Sequence, residues 1–139
     1  MAVPMQIPMD FGQVFPAGAF VTGPVEPVLD FDAPGTGRRR PQKVDKESGL
    51  PMWSVPVLDA DESARANQRS LKINVLATHQ PVPPEALPGT PFRPVEFESL
   101  TVTPYVAEGS GRPRVAYSIR ARGMRAPGTG NGRGRNAAA

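Results

Sequence analysis

Arginine is the residue type in this chain whose number and spacing best suit a chemical role, and that role is the binding of anions. Arg114, Arg120 and Arg122 lie an even number of residues apart in a stretch that alternates apolar and polar residues. In a strand, such residues share one face, with neighbours two apart separated by about 6.5–7 Å. That separation is close to the phosphate spacing of an extended nucleic-acid strand. The pattern predicts a contact with nucleic acid.

The distribution of charge favours the same prediction. Residues 1–108 contain all 13 acidic residues and nine basic ones, whereas residues 109–139 contain seven arginines and no acid. A segment of one charge sign is typical of contacts with nucleic acids or acidic partners. A polar loop at residues 32–49 adds Arg38, Arg39 and Arg40, which we predict to extend the basic surface.

Aromatic residues leave two interpretations open. Proteins that bind single strands stack bases on aromatic side chains, and the candidates are Trp53, Phe92, Phe97 and Tyr105. Trp53, the sole tryptophan, is included with the predicted nucleic-acid-binding residues. The alternative is structural, because a small β-domain needs Trp53, Phe97 and Tyr117 to fill its interior.

Catalytic and metal-binding patterns are missing from the sequence. His79 is the only histidine, there is no cysteine, and no serine lies in a nucleophile-elbow motif. The acidic turn at Asp59 and Asp61 resembles the start of a calcium loop, but Ala64 and Ser70 replace the glycine and the final acid. We therefore expect no enzyme activity, no metal and no cofactor.

The elements that must position the arginines read as five strands, at residues 17–31, 50–59, 70–77, 95–106 and 114–124. Alternation places Val55 and Val57, and then Ile73 and Val75, on apolar faces. Pro56 favours an edge position for the second strand, since proline cannot donate to a central ladder. We predict a mostly β fold, a small five-stranded barrel or sandwich similar to the OB-fold.

The same reading divides the chain into three parts. Residues 1–16 form an extended N-terminal arm, residues 17–124 the β-rich domain, and residues 125–139 a disordered basic tail rich in glycine and arginine. The absence of cysteine, of a signal peptide and of a long apolar run predicts a cytoplasmic protein without membrane contact.

Several blocks of the sequence resemble a known family. They are residues 45–55 (DKESGLPMWSV) with the turn at 59–61, residues 79–84 (HQPVPP), and residues 91–98 (PFRPVEFE) leading into 100–106 (LTVTPYV). In these blocks the chain resembles the plasmid replication, integration and excision activators of actinomycete integrative conjugative plasmids. The resemblance implies a positive regulator that switches on excision, replication and reintegration. It brings no functional residues with it.

Three functions follow as hypotheses. The first is the plasmid regulator, acting through DNA or through replication or transcription proteins, without a helix-turn-helix. The second is a single-stranded DNA-binding accessory protein with an OB-like barrel. The third is a protein-interaction module without nucleic-acid affinity, in which the proline-rich segment 81–94 is the ligand. The strandedness of the DNA and the oligomeric state stay open.

Overall fold

The computed structural model describes residues 5–31, 34–35, 40–65, 69–109 and 111–128. Within those ranges the chain forms nine strands and one short helix. In chain order they are β1 (Ile7–Pro8), α1 (Phe11–Val14), β2 (Ala19–Val21), β3 (Glu26–Pro27), β4 (Met52–Asp59), β5 (Ser70–Leu76), β6 (Arg93–Glu98), β7 (Thr101–Ala107), β8 (Arg114–Ala121) and β9 (Gly123–Arg125). The prediction of a mostly β fold is confirmed.

The strands form one curled, open sheet in the order β1-β7-β8-β5-β4-β2-β6-β9, and β3 also pairs with β4. Neighbours are antiparallel except β5 and β8, which run parallel. Five strands was too low a count, because three of the predicted strands each divide into two and the predicted arm contributes β1. The path runs from β1 to β9 without closing, so a closed five-stranded barrel is not what the described residues form.

A turn at Ser99 divides the predicted strand 95–106 into β6 and β7. Ser99 has a left-handed backbone with φ 53°. Before it, Val95 and Phe97 are buried, and after it the buried residues are Leu100 and Val102. The side that faces the core thus changes from odd to even positions. That change is incompatible with one continuous strand, since alternate residues of a strand keep to one face.

Pro56 does not mark an edge strand, so that prediction is wrong. β4 pairs with β5 over seven residues on one side, and with β2 and β3 on the other. Pro56 falls between the β2 pairing, which begins at Val57, and the β3 pairing, which ends at Ser54. Its missing N–H coincides with a break in the neighbouring ladder, where its carbonyl accepts a hydrogen bond from the Thr22 N–H at 3.1 Å.

The core lies against one face of the central strands. Its most deeply buried side chains come from β2, β4, β5 and β6, and they are Val21, Val55, Val57, Ile73, Val75 and Val95. Five of the six are valine, a β-branched residue that packs well on a pleated surface. The alternation predicted for the second and third strands is confirmed at Val55, Val57, Ile73 and Val75.

The predicted arm and tail are described in part. β1 pairs with β7 at the edge of the sheet, and α1 follows, with the Asp10 N–H donating to Gln13 Oε1 at 2.8 Å. Phe15 is buried, and its ring centroid lies 6.4 Å from that of Phe97, so this part of the arm contributes to the core. The predicted tail begins at Arg125, the last residue of β9. Residues 1–4 and 129–139 lie outside the described residues.

Candidate nucleic-acid interface

β7 and β8 form a long antiparallel hairpin with two chemically different faces. β7 lies opposite β8 from the pair Thr101–Arg120 to the pair Ala107–Arg114. We name the two faces by their residues. The basic face carries Thr101, Thr103, Tyr105, Ala107, Arg114, Ala116, Ser118 and Arg120. The apolar face carries Val102, Pro104, Val106, Val115, Tyr117 and Ile119.

Arg120, at the inner end of the basic face, is held in an ion pair. Its Nη1 lies 2.7 Å from Oδ1 of Asp45, and the two side chains are 24% and 8% exposed. Asp45 is the only charged residue that is buried among those the structure describes. The guanidinium of Arg120 therefore has a carboxylate partner already, and it anchors the loop before β4 to the sheet.

Ser48 and Arg120 together stabilise the charge of Asp45. Burial acts to raise the pKa of Asp45, but the hydroxyl and N–H of Ser48 both donate to Oδ2, at 2.7 and 3.0 Å. These bonds and the positive charge of Arg120 outweigh burial and hold the pKa below its ordinary value. Asp45 is accordingly a carboxylate at neutral pH.

Arg114, at the outer end of the basic face, is exposed. It lies six residues from Arg120, about 20 Å along the strand. Tyr105 is on the same face, opposite Ala116, with half of its surface exposed. Arg112 is exposed in the connection between β7 and β8. Neither Arg112 nor Arg114 forms an ion pair with any residue in the described ranges.

Arg122 and Arg125 follow β8 and have different surroundings. Arg122 is exposed at the bend between β8 and β9, and lines a cleft with Asp45, Glu47 and Arg120. Arg125 pairs with two carboxylates of β6, at 2.6 Å from Glu98 and 3.4 Å from Glu96. The described arginines of the cationic segment 109–139 therefore divide into paired ones (Arg120, Arg125) and exposed ones (Arg112, Arg114, Arg122).

Of the three loop arginines only Arg40 is described, because Arg38 and Arg39 lie outside the described residues. The guanidinium of Arg40 stacks over the ring of Phe31, 5.0 Å from its centroid, and donates to the Phe31 carbonyl at 2.7 Å. Both contacts are to Phe31, the residue that precedes the loop. Arg40 is therefore engaged locally and lies half-buried.

Trp53 has a structural environment. It lies on β4 opposite Val75 of β5 and Pro27 of β3, and its indole N–H donates to the Ala77 carbonyl at 2.9 Å. The ring is half-buried and packs against the core. These contacts favour the structural interpretation of Trp53 over a stacking platform.

Two further aromatic residues are placed differently from each other. Phe97 is buried, as the interior interpretation predicts. Tyr117 is 62% exposed, so its prediction as an interior residue is wrong. The apolar face of β8 is buried at Ile119 and exposed at Val115 and Tyr117, where no other described element packs against it. Sequence alternation alone does not show where along β8 the burial ends.

The acidic turn after β4 forms its own hydrogen bonds. Asp59 Oδ1 accepts from the Asp61 N–H at 2.9 Å, and Asp61 Oδ1 accepts from the N–H and hydroxyl of Ser63. Over the described ranges, no three His, Cys, Asp or Glu residues are grouped so as to hold a metal ion. No helix in those ranges is long and apolar enough to cross a membrane.

Comparisons with known proteins add no relative to this picture. No protein-family model matches the chain, and neither curated sequences nor solved structures give a significant match.

Proposed function

We propose that this protein is a regulator that promotes replication, integration and excision of an integrative conjugative plasmid by contacting DNA. The contact surface is the outer half of the β7–β8 basic face. The observation that carries the proposal is the exposure of Arg112, in the connection between the strands, and of Arg114, on the same face as Tyr105, without a carboxylate partner in the described ranges. The plasmid role rests on the resemblance of residues 45–55, 79–84 and 91–106 to the activator family.

The physical basis of the contact is charge neutralisation. An arginine that binds a phosphate releases condensed counterions, and this term supplies most non-specific affinity for DNA. An exposed, unpaired guanidinium is available for that exchange. Arg120 is bound to Asp45, so contacting a phosphate would cost it that ion pair. The proposed contacts are therefore Arg112 and Arg114 at the outer end. Arg122 is exposed as well, but it lies at the inner end, beyond Arg120 and beside Asp45 and Glu47.

Single-stranded DNA binding is the second candidate, and Tyr105 is the observation that favours it. Its ring is half exposed on the same face as Arg114. An aromatic ring beside a cation is the pairing that single-strand binders use for a base and its phosphate. This candidate requires neither Trp53 as a platform nor a closed OB-like barrel.

Binding to labelled oligonucleotides tests the contact. We expect the double variant Arg112→Gln/Arg114→Gln to bind DNA several-fold more weakly than the natural protein in fluorescence anisotropy. Its slope of log affinity against log salt should fall by about 2, since two phosphate contacts are lost. Arg65→Gln is the matched control, because Arg65 is also exposed but lies in the loop between β4 and β5.

The two DNA substrates separate the candidates. Tighter binding to a duplex than to a single strand supports the regulator, and the reverse preference supports the single-strand binder. Equal affinity of the double variant and Arg65→Gln would overturn the assignment to the hairpin. For the plasmid role, production of the protein in a host with an integrated plasmid should raise the amount of excised circle. An unchanged amount would remove that role.

A further inference from the structure

Among the described strands, only β7 pairs with β8 over Arg114–Ser118. One side of β8 is paired with β7 along its whole length. On the other side, β5 pairs with β8 only at Arg120 and Ala121. No strand within the described ranges pairs with Arg114–Ser118 on that side. An edge of this kind presents unpaired backbone groups to a further strand.

Hydrogen bonding at the neighbouring strand indicates how the backbone of β7 is directed. The Met9 N–H donates to the Leu100 carbonyl at 3.0 Å across the register that joins β1 to β7. The N–H and carbonyl groups of successive residues point alternately to the two sides of a strand. The backbone groups of Val102 and Pro104, like those of Leu100, therefore point away from β8. Pro104 has no N–H, so this outer edge of β7 lacks a donor there.

The same alternation fixes the direction of the backbone in β8. The backbone N–H and carbonyl of Tyr105 point towards β8, where the paired residue is Ala116. The backbone groups of Ala116 therefore point towards β7. Val115 and Tyr117, on either side of it, direct theirs to the open edge. The edge thus offers two N–H and two carbonyl groups.

We propose that a second copy of this chain pairs with this edge, β8 against β8, antiparallel about a two-fold axis at Ala116. In that register Val115 lies opposite Tyr117 of the second copy, and each Val115–Tyr117 pair forms two backbone hydrogen bonds. Ala116 meets Ala116 at the closely spaced position, where its small side chain fits. The two β7–β8 hairpins then form one four-stranded antiparallel ribbon, while β5 keeps its pairing with β8 at Arg120 and Ala121.

No like charges oppose each other in this register. Arg114 lies opposite Ser118 of the second copy, so the strands meet without opposing like charges, which destabilise a pair. Val115 and Tyr117 are each 62% exposed on the apolar face, next to Val106 at 63%. Proteins block an edge with proline and charged residues, and residues 114–118 contain no proline and one charge, that of Arg114 at the end of the segment. The edge is self-complementary, which favours a second copy over an unrelated strand.

Pairing also enlarges the basic face. The two Arg114 residues lie about 14 Å apart across the axis, on the same side of the joined sheet. The pairing uses the backbone of Val115 and Tyr117 and leaves the guanidinium of Arg114 on the basic face, so it does not depend on the proposed function.

A cysteine cross-link tests the register directly. The protein has no cysteine, so Ala116→Cys introduces a single thiol. Opposed residues at the closely spaced position have Cα atoms about 4.5 Å apart, within the range of a disulfide. We expect mild oxidation to give a disulfide-linked dimer on a non-reducing gel. Ser118→Cys is the matched control on the same face, because its two thiols would lie on residues about 14 Å apart.

A charge placed at the edge tests the interface without a cross-link. The natural protein should have twice the monomer mass in light scattering, and Val115→Lys should reduce it to the monomer. Val82→Lys, at an exposed valine outside the strands, should remain dimeric. Circular dichroism verifies that each variant is folded. A monomeric natural protein, a dimeric Val115→Lys, or equal cross-linking of the two cysteine variants would overturn the proposal. All measurements omit DNA, so they are independent of the DNA assignment.

Discussion

The two ends of the β7–β8 hairpin share a sequence pattern and differ in environment. At the inner end, Val102 and Ile119 are each 8% exposed, and Arg120 is bound to Asp45. At the outer end, Val106 and Val115 are 63% and 62% exposed, and Arg114 has no acidic partner in the described ranges. The same alternation of apolar and basic residues therefore stabilises the fold at one end and is available for binding at the other.

The difference comes from segments distant in the sequence. β1 and β5 flank the inner end, and the loop that carries Asp45 supplies its counter-charge. None of these reaches the outer end. Substitutions at matched positions in the two ends should consequently affect different properties, stability at the inner end and association at the outer end.

The largest contrast should come from truncating a valine at each end of β7. Val102→Ala removes two buried methyl groups and should lower the free energy of unfolding by about 2 kcal/mol. Val106→Ala, the same change at an exposed position, should alter it by less than about 0.5 kcal/mol. Urea denaturation of the two variants measures both values. Equal losses would mean that the outer end is packed in solution and that the contrast does not exist.

Arginine replacement should give the next largest contrast. Arg120→Met leaves the buried carboxylate of Asp45 with only its Ser48 bonds, and should lower the free energy of unfolding by about 1.5 kcal/mol. Arg114→Met, the same change at the exposed end, should leave stability within about 0.5 kcal/mol. DNA affinity should respond in the opposite order. Loss of affinity in Arg120→Met alone, with Arg114→Met unaffected, would contradict the division of roles along the hairpin.

The local parts of this fold were predictable from the sequence. Strands β4 and β5 follow from alternation at Val55, Val57, Ile73 and Val75. The turn at Ser99 also left a signal, since the apolar positions change from odd to even there. The sequence nevertheless predicts one strand there, because serine is not a residue that typically marks a left-handed turn.

The long-range parts were not predictable from local pattern. Asp45 and Arg120 are 75 residues apart, and no spacing rule joins a loop carboxylate to a strand arginine at that distance. The point along β8 at which burial ends depends on β5, which pairs with β8 only at Arg120 and Ala121. For these reasons the sequence placed Tyr117 inside, and it counted Arg120 with the exposed arginines.

The smallest effect concerns the pH dependence of the inner end. The pKa of Asp45 in the folded protein lies below the ordinary value of 3.8, so its contribution to stability is complete above 3.8 and is lost as the pH falls through the lowered pKa. Arg120 supplies part of that lowering. The stability difference between the natural protein and Arg120→Met should therefore be constant from neutral pH down to the ordinary value and narrow below it.

Urea denaturation of both proteins over that pH range measures the narrowing, which should be a fraction of the roughly 1.5 kcal/mol expected for the pair at neutral pH. Asp61 also has a lowered pKa, through its bonds from Ser63, but both proteins share it and its contribution cancels. Arg114→Met is the control, and its difference from the natural protein should not depend on pH. A difference for Arg120→Met that persists unchanged in acid would mean that the side chain stabilises the sheet by packing, and not through the charge of Asp45.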